Sequence, residues 1–139
     1  MLKSFKKSMI VLISCLSISI LSSAAIPKIS PKRASEYSAQ SARALSSPYS
    51  TVANVTVSGS FATLKETGQP FTGTYAEFNE VGRVQALRSY QDGKLHGPMF
   101  LYYENGNILK ATNYVNGVRD GEDVDFYGNG NSKTLRRYK

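Results

Sequence analysis

The chain has 139 residues, a formal net charge of +7, one cysteine and one histidine. A single cysteine excludes an internal disulfide framework, and one cysteine with one histidine cannot assemble a structural zinc set. The charge excess is uneven: Lys3, Lys6 and Lys7 sit at the extreme N-terminus, the balance without them is +4, and from Gly73 to Lys139 nine Lys or Arg stand against eight Asp or Glu, so no concentrated basic face is there for nucleic acid.

Residues 1–25 read as a secretory signal. The three lysines form the positive region, Met9–Leu21 the apolar region, and Ser23 and Ala25 the small residues ahead of a cleavage site before Ile26. The apolar run is shorter than the ~20 residues a spanning helix needs, and Ser14, Ser17 and Ser19 interrupt it. Leu12-Ile13-Ser14-Cys15 also resembles a bacterial lipobox. The expected location is therefore periplasmic or secreted, the alternative being a lipid anchor on Cys15.

Residues 26–50 are rich in Ser, Ala and Pro. They predict a mostly disordered linker, because few large apolar side chains are present to offset the ordering entropy. Ala34–Leu45 has favourable helix composition, but such a helix is marginal alone. In residues 51–72 the tone changes. Val55 and Val57 alternate with Thr56 and Ser58, Gly59 interrupts, and Phe61–Leu64 follows, which predicts a leading β-hairpin. The Asn54-Val55-Thr56 sequon is read as a chance match.

From Gly73 onward the chain repeats every 24 residues, in rows 73–96, 97–120 and 121–139. Gly73, Gly97 and Gly121 share a column, as do Gly82, Gly106 and Gly130, and Gly93 and Gly117. Tyr90, Tyr114 and Tyr138 form another column; Phe78, Tyr102 and Phe126 keep a further one aromatic. A fixed period of this size marks a stacked repeat architecture. Each row reads as two strands and two turns, with all eight glycines as turn residues and Asn105-Gly106 supplying the positive φ of a two-residue hairpin turn. The predicted fold is all-β: an antiparallel meander of stacked hairpins over residues 51–139.

Strand parity divides the side chains. Phe78, Tyr90, Phe100, Tyr102, Tyr114, Phe126 and Tyr138 are the expected core aromatics. Tyr75, Leu101, Tyr103 and Tyr127 are the candidate binding face. Ser132 breaks the Val84–Ile108 column, so the last hairpin is expected to be the loosest.

The run from His96 to Gly121 carries Gly97, Tyr102, Tyr103, Glu104, Asn105, Gly106, Tyr114, Asn116, Gly117 and Gly121. In this pattern it resembles the bacterial variant of the MORN repeat, the repeat of the YwqK-like group labelled as toxin–antitoxin antitoxins. Phe78-Asn79 and Phe126-Tyr127 depart from the Tyr-Tyr pair, and Gly128 from the acidic turn residue. The resemblance implies a single-layer antiparallel meander of stacked hairpins, binding or scaffolding of proteins or lipids, and no chemistry.

The residues themselves hold no catalytic constellation, and the reading assigns no catalytic residue, no cofactor, no metal and no small-molecule substrate. His96 lies in a polar turn. Asp120, Glu122, Asp123 and Asp125 invite a calcium reading, but they face Lys133, Arg136, Arg137 and Lys139 in the same row, and local charge compensation is the expectation. The expected function is an exported protein-binding or scaffolding module of a bacterial envelope, with an unidentified protein partner. The alternatives are an antitoxin or immunity role and membrane-surface binding through Lys133–Lys139.

Overall fold

The computed structural model describes residues 29–139; the signal and Cys15 lie outside them. One helix, α1 (Pro31–Ser46), precedes eight strands: β1 (Val55–Ser58), β2 (Phe61–Leu64), β3 (Gly73–Phe78), β4 (Val84–Gln91), β5 (Lys94–Tyr102), β6 (Ile108–Val115), β7 (Val118–Phe126) and β8 (Ser132–Tyr138). β3 to β8 form an antiparallel meander in chain order, each strand hydrogen-bonded to the next. The β1–β2 hairpin joins it through Phe61 opposite Lys94, at the start of β5. Among the described residues the fold is thus an open, all-β sheet of hairpin-connected strands with one short helix.

Register runs straight through the meander. Ala76, Leu87, Phe100, Ala111, Val124 and Leu135 stand opposite one another across six strands. Their shared parity puts them on one face. The first five, with Ile108 and Phe126, make the larger buried cluster; Leu135 is partly buried against it, and α1 lies on it through Ala34, Tyr37, Ala44 and Leu45. Those four, with buried Ser41, recur at helical spacing and give α1 a narrow contact stripe.

Within the described part of the expected linker, residues 29–50, Pro31–Ser46 is helical and packed rather than disordered as composition suggests. Local capping and tertiary packing together supply what propensity alone lacks. The Ser30 hydroxyl accepts from the Arg33 N–H at 3.3 Å, and Pro31 occupies the first turn, where its missing N–H costs nothing. At the sheet, Glu122 accepts from the Tyr37 hydroxyl at 2.8 Å and from the Arg33 guanidinium at 2.9 Å. Burial, then the hydrogen bond to the Glu122 carboxylate, pushes the Tyr37 phenol up to about 12, and Tyr37 meets Phe126 edge-on at 6.2 Å.

Among the described residues, the opposite face is covered only at its β3–β4 end. There Val55 and Ala62 of the leading hairpin, with Phe71, bury Tyr75, Tyr90 and Leu95. The expected core aromatics consequently separate. Phe100 and Phe126 are buried under α1, with Tyr102 packed at the margin. Tyr90 is buried under the hairpin, with Tyr114 at that margin. Tyr138 is partly exposed beside Arg119, whose guanidinium lies 5.5 Å from its ring. Phe78 is a correction: it is 38% exposed. It ends β3, the outermost strand of the meander, opposite Val84 and with the Tyr49 ring 5.7 Å away.

The turns correct the expectation in two ways. Asp92-Gly93 and Asn116-Gly117 have positive φ at both residues, the signature of a two-residue turn. At Asn105-Gly106 only the glycine is positive. The Tyr103 N–H donates to Asn107 O, and the Gly106 N–H to Tyr103 O, which is a three-residue loop closed by a glycine bulge. The same two hydrogen bonds recur at Asn79–Arg83 and Tyr127–Asn131, at 24-residue spacing. Secondly, Gly73, Gly97 and Gly121 are not turn residues but lie in β3, β5 and β7. Gly97 and Gly121 sit where the register slips beside Arg88/Tyr90 and Thr112/Tyr114, so they serve strand irregularities.

Candidate binding face

Two rows of residues cross the face away from α1. One is Tyr75, Arg88, Met99, Thr112, Asp123 and Arg136; the other is Glu77, Ala86, Leu101, Lys110, Asp125 and Thr134. Alternation on each strand places both rows opposite the α1-covered core.

The β3–β4 end of these rows holds an ion pair, Arg88 to Glu77 at 2.6 Å. The β6–β8 end holds a larger network. Asp123, fully buried, accepts from Thr112 Oγ1 at 2.8 Å, Lys110 Nζ at 2.9 Å and Arg136 Nε at 3.4 Å. Asp125 accepts from Thr134 Oγ1 at 2.6 Å, Arg136 NH2 at 2.7 Å and Lys110 Nζ at 3.1 Å. Burial alone would raise both carboxyls. The hydrogen bonds from Lys110 and the two threonines, with the Lys110 and Arg136 charges, outweigh it and hold both below the usual carboxylate range. The acidic and basic groups of the last row thus compensate one another: Arg136 pairs with Asp123 and Asp125, and Arg137 reaches Glu122 at 3.5 Å. Among the described residues no group of three or more His, Cys, Asp or Glu has the arrangement of a metal site.

Between the two charged ends lie Met99 and Leu101. Both are partly exposed, and neither belongs to a buried cluster. The face therefore has an apolar middle strip with charged flanks.

The four residues expected on this face have different fates. Leu101 lies in the middle strip. Tyr103 is partly exposed beyond it, its hydroxyl donating to Phe126 O at 2.8 Å. Tyr127 is 48% exposed, with the Lys133 ammonium 5.7 Å from its ring. Tyr75 is a correction: it is 4% exposed, because the leading hairpin closes over it. Met99, outside the four expected residues, shares this face with Leu101 by strand parity. His96 only accepts, at Nδ1, from the Asn116 N–H at 3.3 Å.

Among the described residues, the buried side-chain atoms with no hydrogen-bond partner are the Tyr90 and Tyr102 hydroxyls. Tyr102 borders a cleft of about 470 Å³ between α1 and the sheet; Tyr90 borders one of about 530 Å³ under β1. Burial raises both phenols, so they remain neutral donors. No helix among the described residues is long and apolar enough to cross a membrane. No family model, curated protein or solved structure matches the chain.

Proposed function

We propose that the chain is an exported, non-enzymatic repeat protein of the bacterial MORN-variant kind that binds a protein partner in the cell envelope. The observation that carries this reading is the uncovered strip of Met99 and Leu101 between charged flanks. An apolar centre ringed by polar groups is the common anatomy of a protein contact. Rigidity favours it too, since strands held by ladders on both sides present side chains at little entropic cost. The signal-like N-terminus supports the compartment, and the 24-residue pattern supports the repeat.

The test is site-resolved cross-linking in the native host. A photoreactive residue at Leu101 or Tyr127 is expected to give one discrete protein adduct, and one at exposed Gln40 none. The adduct should vanish when Met99→Glu is added. Adducts to lipid alone, or equal adducts from all three positions, overturn the reading. Intact mass of the processed protein tests export: a start at Ile26 supports it, and an unprocessed cytoplasmic chain removes it.

A further inference from the structure

The outer edge of β8 offers a second surface with its own chemistry. Among the described residues β8 pairs only with β7, which leaves seven residues of backbone on the other side. The other free edges are different. β1 is four residues long and carries no charge. β3 is partly closed by Ser50, whose N–H donates to Thr74 O and whose carbonyl accepts from the Ala76 N–H, both at 2.8 Å.

An open edge invites a further strand, and the side chains on β8 decide which one. From Tyr127 to the last residue there are four Lys or Arg and no Asp or Glu. A second copy pairing edge to edge would set cations against cations, which is destabilising. An acidic strand meets the opposite situation. The inner neighbour already shows what β8 accepts: Glu122 stands opposite Arg137, Asp123 opposite Arg136, Val124 opposite Leu135 and Asp125 opposite Thr134. Arg136 and Arg137 are 46% and 70% exposed. A guanidinium has five N–H donors, so each retains donors for a carboxylate on the outer side.

We propose that β8 accepts an extended acidic segment of a partner protein as an additional strand, with the pattern acidic–acidic–apolar–acidic that β7 displays. The proposal rests on the protein-binding reading and names its partner chemistry. Backbone hydrogen bonds supply the general attraction, and the two arginines and Leu135 supply the selection. Arg136 and Arg137 are consecutive and point to opposite faces, so the two adjacent carboxylates must straddle the added strand.

The probe is a labelled peptide with the sequence of Gly121–Phe126, titrated into the processed full chain and read by fluorescence anisotropy. Two control peptides accompany it: one with its acids changed to lysine, and one N-methylated on alternate residues, which keeps the charge but cannot complete a ladder. The acidic peptide is expected to bind, the controls at least about tenfold more weakly, and raised salt to weaken binding. In the chain, Arg137→Glu should lower affinity by about tenfold without loss of the β signal in circular dichroism, since that side chain is largely exposed. Equal binding of the N-methylated peptide reduces the effect to charge attraction and overturns the edge proposal. So does absence of binding at low salt, and so does a β8-dependent homodimer, which makes a second copy the occupant. In each of those outcomes the Leu101 cross-link still decides the protein-binding reading separately.

Discussion

Tyr75 and Asp123 occupy the same column of the 24-residue pattern, and both are buried, at 4% and 0% exposure, by opposite means. Around Tyr75 the sheet gains an apolar cover: Val55, Ala62 and Phe71 of the leading segment close over the ring. Around Asp123 no element is added. Lys110, Thr112 and Arg136 fold inward and satisfy the carboxylate within the sheet's own surface. Met99, between them in the column, has neither device and stays partly open. One repeated backbone thus supports three solutions at one position, and only the middle one leaves apolar surface for a partner.

The comparison is broken most forcefully at its apolar end. Tyr75→Ala is expected to cost about 4 kcal/mol in urea unfolding, the usual range for emptying a large buried site, with no dependence on salt. Asp123→Ala should cost about 3 kcal/mol, because Thr112 loses its acceptor and Lys110 and Arg136 are left with Asp125 alone beside a hole. Its pH profile separates the two mechanisms. Asp123 and Asp125 have folded-state pKa values below the ordinary range. The stability they contribute is therefore complete above about pH 4 and is lost as pH falls through the lower folded values. The gap between the wild type and Asp123→Ala should close in acid, whereas the gap for Tyr75→Ala should persist; identical acid profiles would sink the distinction.

A smaller effect is expected at the helix contact. Tyr37→Phe removes the hydroxyl that donates to Glu122 and should cost about 1 kcal/mol, seen as faster hydrogen exchange confined to α1. Exchange unchanged in α1 would mean that its apolar stripe alone seats it. The smallest contrast concerns turns. Asn116 has φ of 50°, so Asn116→Ala should lose about 1 kcal/mol, whereas Asn116→Gly should lose nothing. Equal losses would locate the role of Asn116 in its side chain.

The strands and their meander were legible, and so was the shared face of Phe100 and Phe126, because period-2 alternation recurs inside the 24-residue period; Leu87, which fills that core from β4, was not singled out. The seating of α1 was not legible, because its stabilisation comes from long-range contacts to Phe126 and Glu122 that composition cannot weigh. Tyr75 was misjudged for the same reason: parity fixed its face, but only the fold of residues 51–72 decides whether that face is covered. Asn105-Gly106 and Asn116-Gly117 show the limit of a dipeptide signal. Identical pairs make different turns, since flanking register, not the pair, sets whether the asparagine must also adopt positive φ. Leu101 and Tyr127 were placed on the exposed side by alternation alone, which is a local rule and needed nothing distant.

The contact between α1 and Glu122 joins residues 89 positions apart, Arg33 to Glu122, while each hairpin from β3 onward pairs with its immediate sequence neighbour. During synthesis the hairpins can therefore assemble as they emerge. The helix, made before any of them, has no complete seat until the third row arrives. The earliest described segment is then seated late, and its protection reports that β7 has been made.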